Sequence, residues 1–479
     1  MVFTSFNFLV FFPAVLILYF LLPQKFRGVF LLIASYYFYI NIKPVYALLL
    51  AGVTITTYLF TNLIAKATSD RGKRLLLIAA IVLILLPLFF FKYFNFVNEG
   101  IFGLLNYAGL HLSLPHISLL LPVGISFYTF MALGYIIDVY NEEIEAEKNF
   151  GIVALFLSFF PVVMSGPIER ASNMFHQFKG KLRFSYEMVV SGLQLMLWGY
   201  FMKLALADRI SIYIDAVFKN TDQHVGSSLL LATLMQPIRV YGDLGGYSLI
   251  AIGCAKVMGV NVIPNFNRPF FATTMSEFWR RWHISLIKWL TDYVYTPLSF
   301  GFRKYGVWGI VIALNLTFII SGAWHGAALN FLVWGGIQGV ALSFEMLTRK
   351  RKDAFEDRFR LKKRWWYIML GCVFTYLLFA FSLSFGGDAA TVAEVLQIFK
   401  RIVTDSFHLP YKDGDTMLYG FIAFSILFIK DFMEEYYPGR ILLFNHKNNT
   451  VRWLAYYCVI FLIFYLGVFS GEQFVYFQF

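Results

Sequence analysis

The sequence predicts an all-α polytopic membrane protein. Of its 479 residues, 59% are hydrophobic and only 14% are charged. A soluble globular domain carries about a quarter charged residues, so this chain lacks the polar surface that water requires. Many of its apolar runs also reach the roughly 20 residues that cross a hydrocarbon core. The excess apolar surface is therefore expected to face lipid.

Roughly ten to thirteen segments are long and apolar enough to be predicted as membrane spans. They lie near residues 6–22, 28–42, 44–65, 75–97, 116–139, 150–168, 186–206, 228–259, 307–323, 325–346, 366–385, 416–431 and 453–470. The N-terminal segment lacks a basic leading region and a small-residue cleavage site, so we predict an anchor rather than a cleaved signal peptide. No segment is left for a soluble domain of ordinary size. We therefore predict one integral membrane domain over residues 1–479.

The formal net charge of +12 does not indicate a nucleic-acid partner, because the basic residues are concentrated between spans. The segments Lys66–Arg74 and Arg349–Arg364 are predicted to be solvated loops on the cytoplasmic side, where they meet anionic lipid. The segment Asn98–Pro115 contains no Lys or Arg and is predicted to be external. Counting spans onward from Arg364 makes Gly386–Asp415 an external loop and places the C-terminal end outside. Membrane lipids, and no nucleic acid, are the expected surroundings.

The spans differ in how often polar residues, Pro and Gly interrupt them. Those within 1–100 and 365–470 are almost purely apolar and are predicted to be peripheral, whereas the core at 116–345 is interrupted repeatedly. Broken helices at membrane depth are tolerated only where protein or a water-filled cavity surrounds them. Transporters use broken helices in the same way, so a transporter or flippase for a lipid or glycan remains an alternative.

Two of the eight histidines stand out, and the first is His325. No other His, Lys, Arg, Asp or Glu occurs between Lys304 and Glu345. An ionisable side chain inside such a span is costly and by default indicates a functional site. Small residues nearby allow close helix contact or leave a slot for a thin ligand. They are Gly322, Gly326, Ala327, Ala328, Gly335 and Gly339. The alternative is a structural histidine satisfied inside the bundle.

The second is His283, in a segment whose pattern is helical. Aromatic residues at Phe278, Trp279 and Trp282 form one side of it, and basic residues accompany them. We expect the cations to meet the phosphates of a donor while the histidine faces a cavity. These cations are Arg280, Arg281 and Lys288. The alternative is a plain interfacial helix, because aromatic residues mixed with cations are typical of a membrane interface.

The other sequence motifs, and those that are missing, limit the reactions that the two histidines could catalyse. The chain contains neither nucleotide-binding glycine fingerprint, and its His, Cys, Asp and Glu residues do not have zinc-ligand spacing, so no metal is expected. The three cysteines lie far apart and are interpreted as packing residues. A histidine suits proton transfer from an attacking hydroxyl to a leaving group, and a dry slot protects a reactive acyl donor. The two histidines therefore predict acyl transfer from a thioester to a hydroxyl.

Five motifs together resemble the membrane-bound O-acyltransferase (MBOAT) family, and within it the bacterial alginate and peptidoglycan O-acetyltransferases. They are Pro122–Phe130, Phe159–Pro161 with Ser165–Ile168, Gly245–Ser248, Phe278–His283 and Ser321–Gly326. The resemblance extends over nearly the whole chain. It implies a ring of roughly 11–13 transmembrane helices, with short or re-entrant ones, around a thin centre that has a funnel on each face.

The resemblance also implies site residues. It makes His325 the catalytic general base, His283 a residue that orients or polarises, and Asp243 a match to an acidic position of the family. Leu249 stands where many relatives carry a second acid. The alternative interpretation of Asp243 is a structural one, as a buried or helix-capping carboxylate. The residues expected near the donor are Arg280, Arg281, Trp279, Trp282 and Trp324.

The resemblance further implies substrates and a partner. Relatives of this branch take an acyl group from a cytoplasmic donor, typically acetyl-coenzyme A, and bind no resident cofactor. They pass the group outward to an extracytoplasmic SGNH-type protein that acetylates a polysaccharide, which places the chain in the inner (cytoplasmic) membrane. Similar D-alanyl transferases use a D-alanyl carrier protein, an alternative for this chain. Within the C-terminal tail at 471–479, the segment Phe474–Phe479 resembles their terminal aromatic motif, with Tyr476 as acyl relay or as a simple interface anchor.

Overall fold

The computed structural model describes residues 1–107, 121–180, 184–387, 391–406, 408, 414–439 and 444–469. In these ranges the chain forms twenty α-helices and no β-strand. The helices are α1 Phe6–Leu21, α2 Gln24–Ile40, α3 Pro44–Lys66, α4 Asp70–Tyr107, α5 Ile125–Tyr140, α6 Phe150–Ser158, α7 Ala171–Lys179, α8 Tyr186–Tyr200, α9 Asp208–Phe218, α10 Gly226–Val240, α11 Gly246–Val257, α12 Met275–Arg281, α13 Ile284–Leu290, α14 Thr296–Gly301, α15 Val307–His325, α16 Leu329–Arg358, α17 Trp365–Leu383, α18 Val392–Thr404, α19 Gly414–Tyr436 and α20 Asn449–Leu466.

Eight helical stretches in the described ranges are long and apolar enough to cross a bilayer. They are Pro44–Lys66, Asp70–Ile101, Tyr186–Phe218, Val307–His325, Leu329–Arg358, Trp365–Gly386, Gly414–Tyr436 and Asn449–Leu466. Two shorter apolar helices, α1 and α5, accompany them. The prediction of an all-α, multi-pass membrane protein is confirmed.

The described residues divide into two compact units. The first contains residues 1–196 and 247–263, and the second contains residues 197–246 and 264–469. The core of the first unit includes fully buried aromatic rings, of which Phe38 contacts both Phe8 and Phe160. The second unit contains both histidines singled out by the sequence.

Several predicted spans of the motif-bearing segment are interrupted. The predicted span at 228–259 consists of α10 and α11, joined by the π-helical turn Tyr241–Gly245. Pro237 lies near the end of α10 and cannot donate a backbone N–H, which favours a local change in hydrogen-bond register. The predicted span at 186–206 ends in a second π-helical segment, Phe201–Ala207. Such π-turns in helices are frequent at functional sites.

Glycines bring α15 and α16 into close contact. A Cβ atom on Gly322 would lie 2.2 Å from the carbonyl oxygen of Phe331, and one on Gly335 would lie 2.2 Å from that of Phe318. Both distances are far below van der Waals contact. The small residues around His325 therefore allow the two backbones to approach each other directly.

Four predicted loops are partly helical. In the first, Lys66–Arg74, the helix α4 already begins at Asp70. The helix α4 continues to Tyr107, into the segment predicted to be an external loop from Asn98. The basic segment that begins at Arg349 continues α16 as far as Arg358, because Lys, Arg and Glu favour helices and i,i+4 ion pairs support them.

The fourth of these loops is the predicted external loop Gly386–Asp415, which contains α18. A capping box of Thr391 and Glu394 starts this helix. Its Ile398 packs with Tyr213 of α9 and Leu229 of α10. The sequence contains the Thr-x-x-Glu signal of this helix, but the segment is too short and too polar to be recognised as a span.

Candidate active site

His325 is the last residue of α15 and stands at a break between two spans. The chain is extended at Gly326, and α16 begins three residues later at Leu329. The imidazole is partly exposed and contacts two indoles edge to face. Its ring centroid lies 4.6 Å from that of Trp324 and 5.0 Å from that of Trp334. The break therefore presents an accessible imidazole within an aromatic wall.

His283 occupies the sharp turn between α12 and α13. Its backbone is left-handed, with φ 46°, which is uncommon for a residue other than glycine. The side chain is buried, and its Nδ1 atom lies 3.1 Å from Oδ1 of Asn265. The backbone N–H and the hydroxyl of Ser285 donate to the same oxygen, at 3.3 and 2.9 Å. Asn265 thus organises the whole turn.

These contacts determine the tautomer of His283. A backbone N–H only donates, so the atom of Asn265 that it meets is the carboxamide oxygen. The Nδ1 atom of His283 must then carry the proton, and its Nε2 atom carries the lone pair. Burial lowers the pKa of His283 to about 3, so the imidazole is neutral near pH 7.

One indole connects the two histidines. The ring of Trp324 lies 6.3 Å from the ring of His283 and 4.6 Å from that of His325. The sequence placed the two histidines 42 residues apart in separate motifs. Folding brings them to neighbouring positions on the same indole.

Trp279 and Trp282 are buried beside this pair. The Nε1 atom of Trp279 donates to Gln338 at 3.3 Å, and Gln338 donates to Ser382 at 2.6 Å. Trp279 also contacts Trp334 edge to face at 6.0 Å. These contacts place Trp279 behind the wall of His325. On the His283 side, Phe266 contacts both Trp282, at 5.1 Å, and His283, at 6.3 Å.

The two arginines of the FWRRWH motif have different surroundings. Arg281 forms a two-bond ion pair with Glu435, at 2.8 and 3.0 Å, and a third bond with Glu277 at 2.6 Å. Burial opposes ionisation of Glu277, but hydrogen bonds from Thr273 and the neighbouring Arg281 lower its pKa. Arg280 is exposed and forms no side-chain hydrogen bond or ion pair with any residue that the structure describes. Of the two cations, Arg280 is therefore the one available to a ligand.

Asp243 lies in an ion-pair cluster that the sequence analysis did not anticipate. Its Oδ1 atom lies 2.6 Å from Nζ of Lys203, which also lies 2.7 Å from Oδ1 of Asp208. All three side chains are at most 9% exposed. Lys203 and Asp243 belong to the two π-helical segments, which are thereby joined. A lysine within the predicted span at 186–206 was the signal that could have revealed this cluster.

The other predicted residues do not join this site in the described ranges. Tyr476 of the C-terminal tail lies outside the described residues. His176, His408 and His446 are exposed, and His224 is half-buried. No group of His, Cys, Asp and Glu residues in the described ranges has the arrangement of a metal site.

The fold and the site define a class: a multi-pass helical membrane protein in which a broken span and a buried turn present two imidazoles to one indole. The membrane-bound O-acyltransferase family matches residues 147–385, which include His283, His325 and Asp243. The chain is 36% identical to the probable alginate O-acetylase AlgI of Pseudomonas aeruginosa over 348 residues, covering 72% of this chain and 66% of that protein.

Two further relatives agree. The probable alginate O-acetylase AlgI of Pseudomonas putida is 36% identical, over 72% of this chain and 70% of that protein. The peptidoglycan O-acetyltransferase of Helicobacter pylori is 32% identical, over 66% of this chain and 64% of that protein. The chain thus spans about two thirds of the length of these relatives. It belongs to the membrane-bound O-acyltransferase family, and the predicted family and acyltransferase class are confirmed.

Proposed function

We propose that this protein transfers an acetyl group from cytoplasmic acetyl-coenzyme A to the outer side of a bacterial cytoplasmic membrane, for O-acetylation of an extracytoplasmic polysaccharide. The observation that carries the proposal is the edge-to-face contact of Trp324 with both His283 and His325. This arrangement holds two imidazoles beside one apolar wall, as proton transfer in a dry site requires. The relatives, named as an alginate O-acetylase and a peptidoglycan O-acetyltransferase, support acetyl as the group and a polysaccharide as the acceptor.

His325 acts as the general base in this proposal. It takes the proton of the acceptor hydroxyl, whose oxygen bonds to the acetyl carbonyl carbon. The carbon–sulfur bond of the thioester then breaks, and the proton passes from the imidazolium to the departing sulfur, which leaves as coenzyme A thiol. The partly exposed position of His325 at the helix break supports this role, because both substrates must reach it.

His283 orients the acceptor rather than polarising the thioester carbonyl. Its Nδ1–H is directed to Asn265, so in the neutral imidazole the Nε2 atom is an acceptor. An acceptor atom orients a hydroxyl but does not stabilise a carbonyl oxygen. The lowered pKa of His283 supports the neutral form and hence the orienting role.

The donor contacts divide between two groups. Arg280 is exposed and suits a phosphate of coenzyme A, with Lys288, which is also exposed, as a second cation. Trp324 contacts both imidazoles, so it forms the wall along which the acyl group lies. Trp279 and Trp282 support that wall from behind, and Arg281 stabilises the local ion-pair cluster.

The outward steps involve the tail and a partner. Tyr476 receives the acetyl group on its hydroxyl and passes it to an extracytoplasmic SGNH-type acetyltransferase, which modifies the polymer. This step rests on the resemblance of the motif at 474–479 to the tails of D-alanyl transferases. Tyr476→Phe is expected to abolish acetylation of the external acceptor while thiol release with a small soluble acceptor alcohol continues. Unchanged acetylation of the external acceptor would remove the relay from the mechanism.

Consumption of the thioester tests the central proposal. Purified protein with labelled acetyl-coenzyme A and an acceptor should release thiol, and His325→Gln should reduce that rate by about a thousandfold, because general-base catalysis typically contributes 100- to 10,000-fold. His176→Gln, at an exposed histidine outside the site, is the matched control. A transporter or flippase would consume no thioester. Full activity in His325→Gln would show that another residue is the base.

A further inference from the structure

An apolar cavity lies in the second unit, beside the ion-pair cluster of Arg281. Its walls are α17, α19 and the turn Pro269–Phe271, and its volume is about 760 Å³. The side chains that line it are almost all apolar or aromatic. They include Phe270, Cys372, Val373, Tyr376, Phe428 and Tyr436. Its size is in the range of small-molecule sites, which are about 300–1,000 Å³.

The cavity is suited to hydrocarbon rather than to water. A bound water needs two or more polar partners, and the lining offers few. The hydroxyl of Tyr376, for example, already donates to the carbonyl oxygen of Leu234. Two of the walls are helices with the length and composition of membrane spans. The outward side chains of these helices are apolar, as Phe374 and Phe421 show by exposures of 68% and 69%. Bilayer lipid is therefore the medium next to the cavity.

One end of the cavity has the chemistry of a membrane interface. Trp365 at the start of α17 and Tyr436 and Tyr437 at the end of α19 line this end. Tryptophan and tyrosine are enriched where a bilayer meets water. A lipid chain within the cavity would thus place its headgroup next to these three rings.

Cations stand beside the same end. Lys363 and Arg364 immediately precede Trp365, and both are exposed. Neither side chain forms an ion pair or hydrogen bond within the part of the chain that the structure describes, whereas the neighbouring Lys362 pairs with Asp357 at 2.8 Å. Two cations available at the headgroup level favour a negatively charged phosphate group.

We propose that this cavity is a binding site for an anionic bilayer phospholipid. The acyl chains fill the space between α17 and α19, and the phosphate meets Lys363 and Arg364. The cavity also borders the aromatic residues beside the active site, because Phe270 contacts Tyr241 at 5.2 Å and Trp282 at 6.4 Å. In this proposal the bound lipid is a structural ligand, separate from the acyl donor and the acceptor.

Native mass spectrometry of the full-length protein tests this site. The protein is transferred to detergent containing equal amounts of phosphatidylglycerol and phosphatidylcholine, and retained lipid is counted. Wild type should retain phosphatidylglycerol preferentially. The double variant Lys363→Ala/Arg364→Ala should lose about fivefold in preference for each cation removed, which corresponds to about 1 kcal/mol per charge. Lys350→Ala, at another exposed cation of the same basic segment, should retain the wild-type preference.

A second pair of variants separates the cavity from the general lipid-facing surface. Val373 lines the open side of the cavity at 48% exposure, so Val373→Trp fills that side and should lose the retained lipid. Phe374 is also exposed but does not line the cavity, so Phe374→Trp should keep the lipid. If Val373→Trp does not fold, the charge variants still decide the matter. Equal retention of the two phospholipids by wild type would overturn the proposal, as would a long-chain acyl-coenzyme A in place of the phospholipid. Activity on acetyl-coenzyme A tests the proposed function independently of these measurements.

Discussion

The carboxamide of Asn265 accepts a hydrogen bond from His283, and this contact decides the chemistry available to the histidine. The two atoms, Oδ1 and Nδ1, lie 3.1 Å apart in a buried turn. The contact leaves Nε2 as an acceptor, and burial keeps the ring neutral. An orienting role that needs a neutral imidazole should therefore respond to the charge at position 265.

Asn265→Asp is expected to move the acid limb of the activity profile to higher pH. The new carboxylate favours the imidazolium, so the pKa of His283 rises from its lowered value and the neutral fraction falls as pH decreases. An opposite charge shifts a pKa by about 1–3 units, so we expect activity at pH 5, relative to pH 8, to fall by up to about tenfold. Initial rates of thiol release between pH 5 and 9 measure the shift. Asn267→Asp, at an exposed position two residues away, should leave the profile unchanged. An identical profile for Asn265→Asp would contradict the orienting role.

Arg280 and Arg281 are expected to affect different quantities. Arg280→Gln removes an exposed cation and should raise the KM for acetyl-coenzyme A by about tenfold, since a hydrogen bond to a charged group contributes about 1.5–3 kcal/mol. Its thermal stability should remain that of wild type. Steady-state kinetics over a range of donor concentrations gives the KM.

Arg281→Gln should instead lower stability, because Glu277 and Glu435 lose their shared guanidinium. Each of the three side chains is 17–25% exposed, so we expect a modest loss of about 1–2 kcal/mol rather than the larger cost of a fully buried pair. Thermal unfolding in detergent measures it. A raised KM with unchanged stability in this variant would show that Arg281 contacts the donor, as the sequence predicted.

Lys203→Met is expected to destabilise the protein by about 3–5 kcal/mol, because it leaves the carboxylates of Asp208 and Asp243 buried without their cation. The triple variant Lys203→Met/Asp208→Asn/Asp243→Asn removes all three charges and should recover part of that loss. Thermal unfolding of the three proteins gives the comparison. Wild-type stability in Lys203→Met would show that the ion pairs do not hold the two π-helical segments together.

Gly335→Ala is expected to cost about 1–3 kcal/mol, because its Cβ atom would meet the Phe318 carbonyl oxygen at 2.2 Å. Gly336 is the matched control on the same helix, since a Cβ atom there has no atom within 4 Å. Gly336→Ala should be neutral or stabilising by up to about 1 kcal/mol, the difference in helix propensity. Loss of stability in both variants would argue against a specific contact between α15 and α16.

The sequence predicted the spans and the two histidines for different reasons. Long apolar runs such as α3 and α20 can be recognised as membrane spans from composition alone, because lipid surrounds them on most sides. His325 was conspicuous because it is the only ionisable residue in a long apolar stretch. His283 was less distinct, because the aromatic and basic residues around it also suit an ordinary interfacial helix.

Other features depend on contacts between distant segments. Asn265 carries no local signal, and its importance follows only from the turn that brings His283 and Ser285 to its oxygen. Lys203 lies 40 residues from Asp243, and no periodicity relates them. Asp243 stays a predicted catalytic residue, and the structure shows that any role of its carboxylate must include Lys203.

Composition and motif spacing alone determined that the chain is a helical membrane protein and that His325 and His283 merit attention, because hydropathy and unusual residues are local properties. The tertiary structure decided that the two histidines share one indole, that Arg281 is bound to carboxylates while Arg280 is exposed, and that His283 donates through Nδ1. These are relations between side chains far apart in sequence. They arise only when helices pack and buried polar groups must find partners.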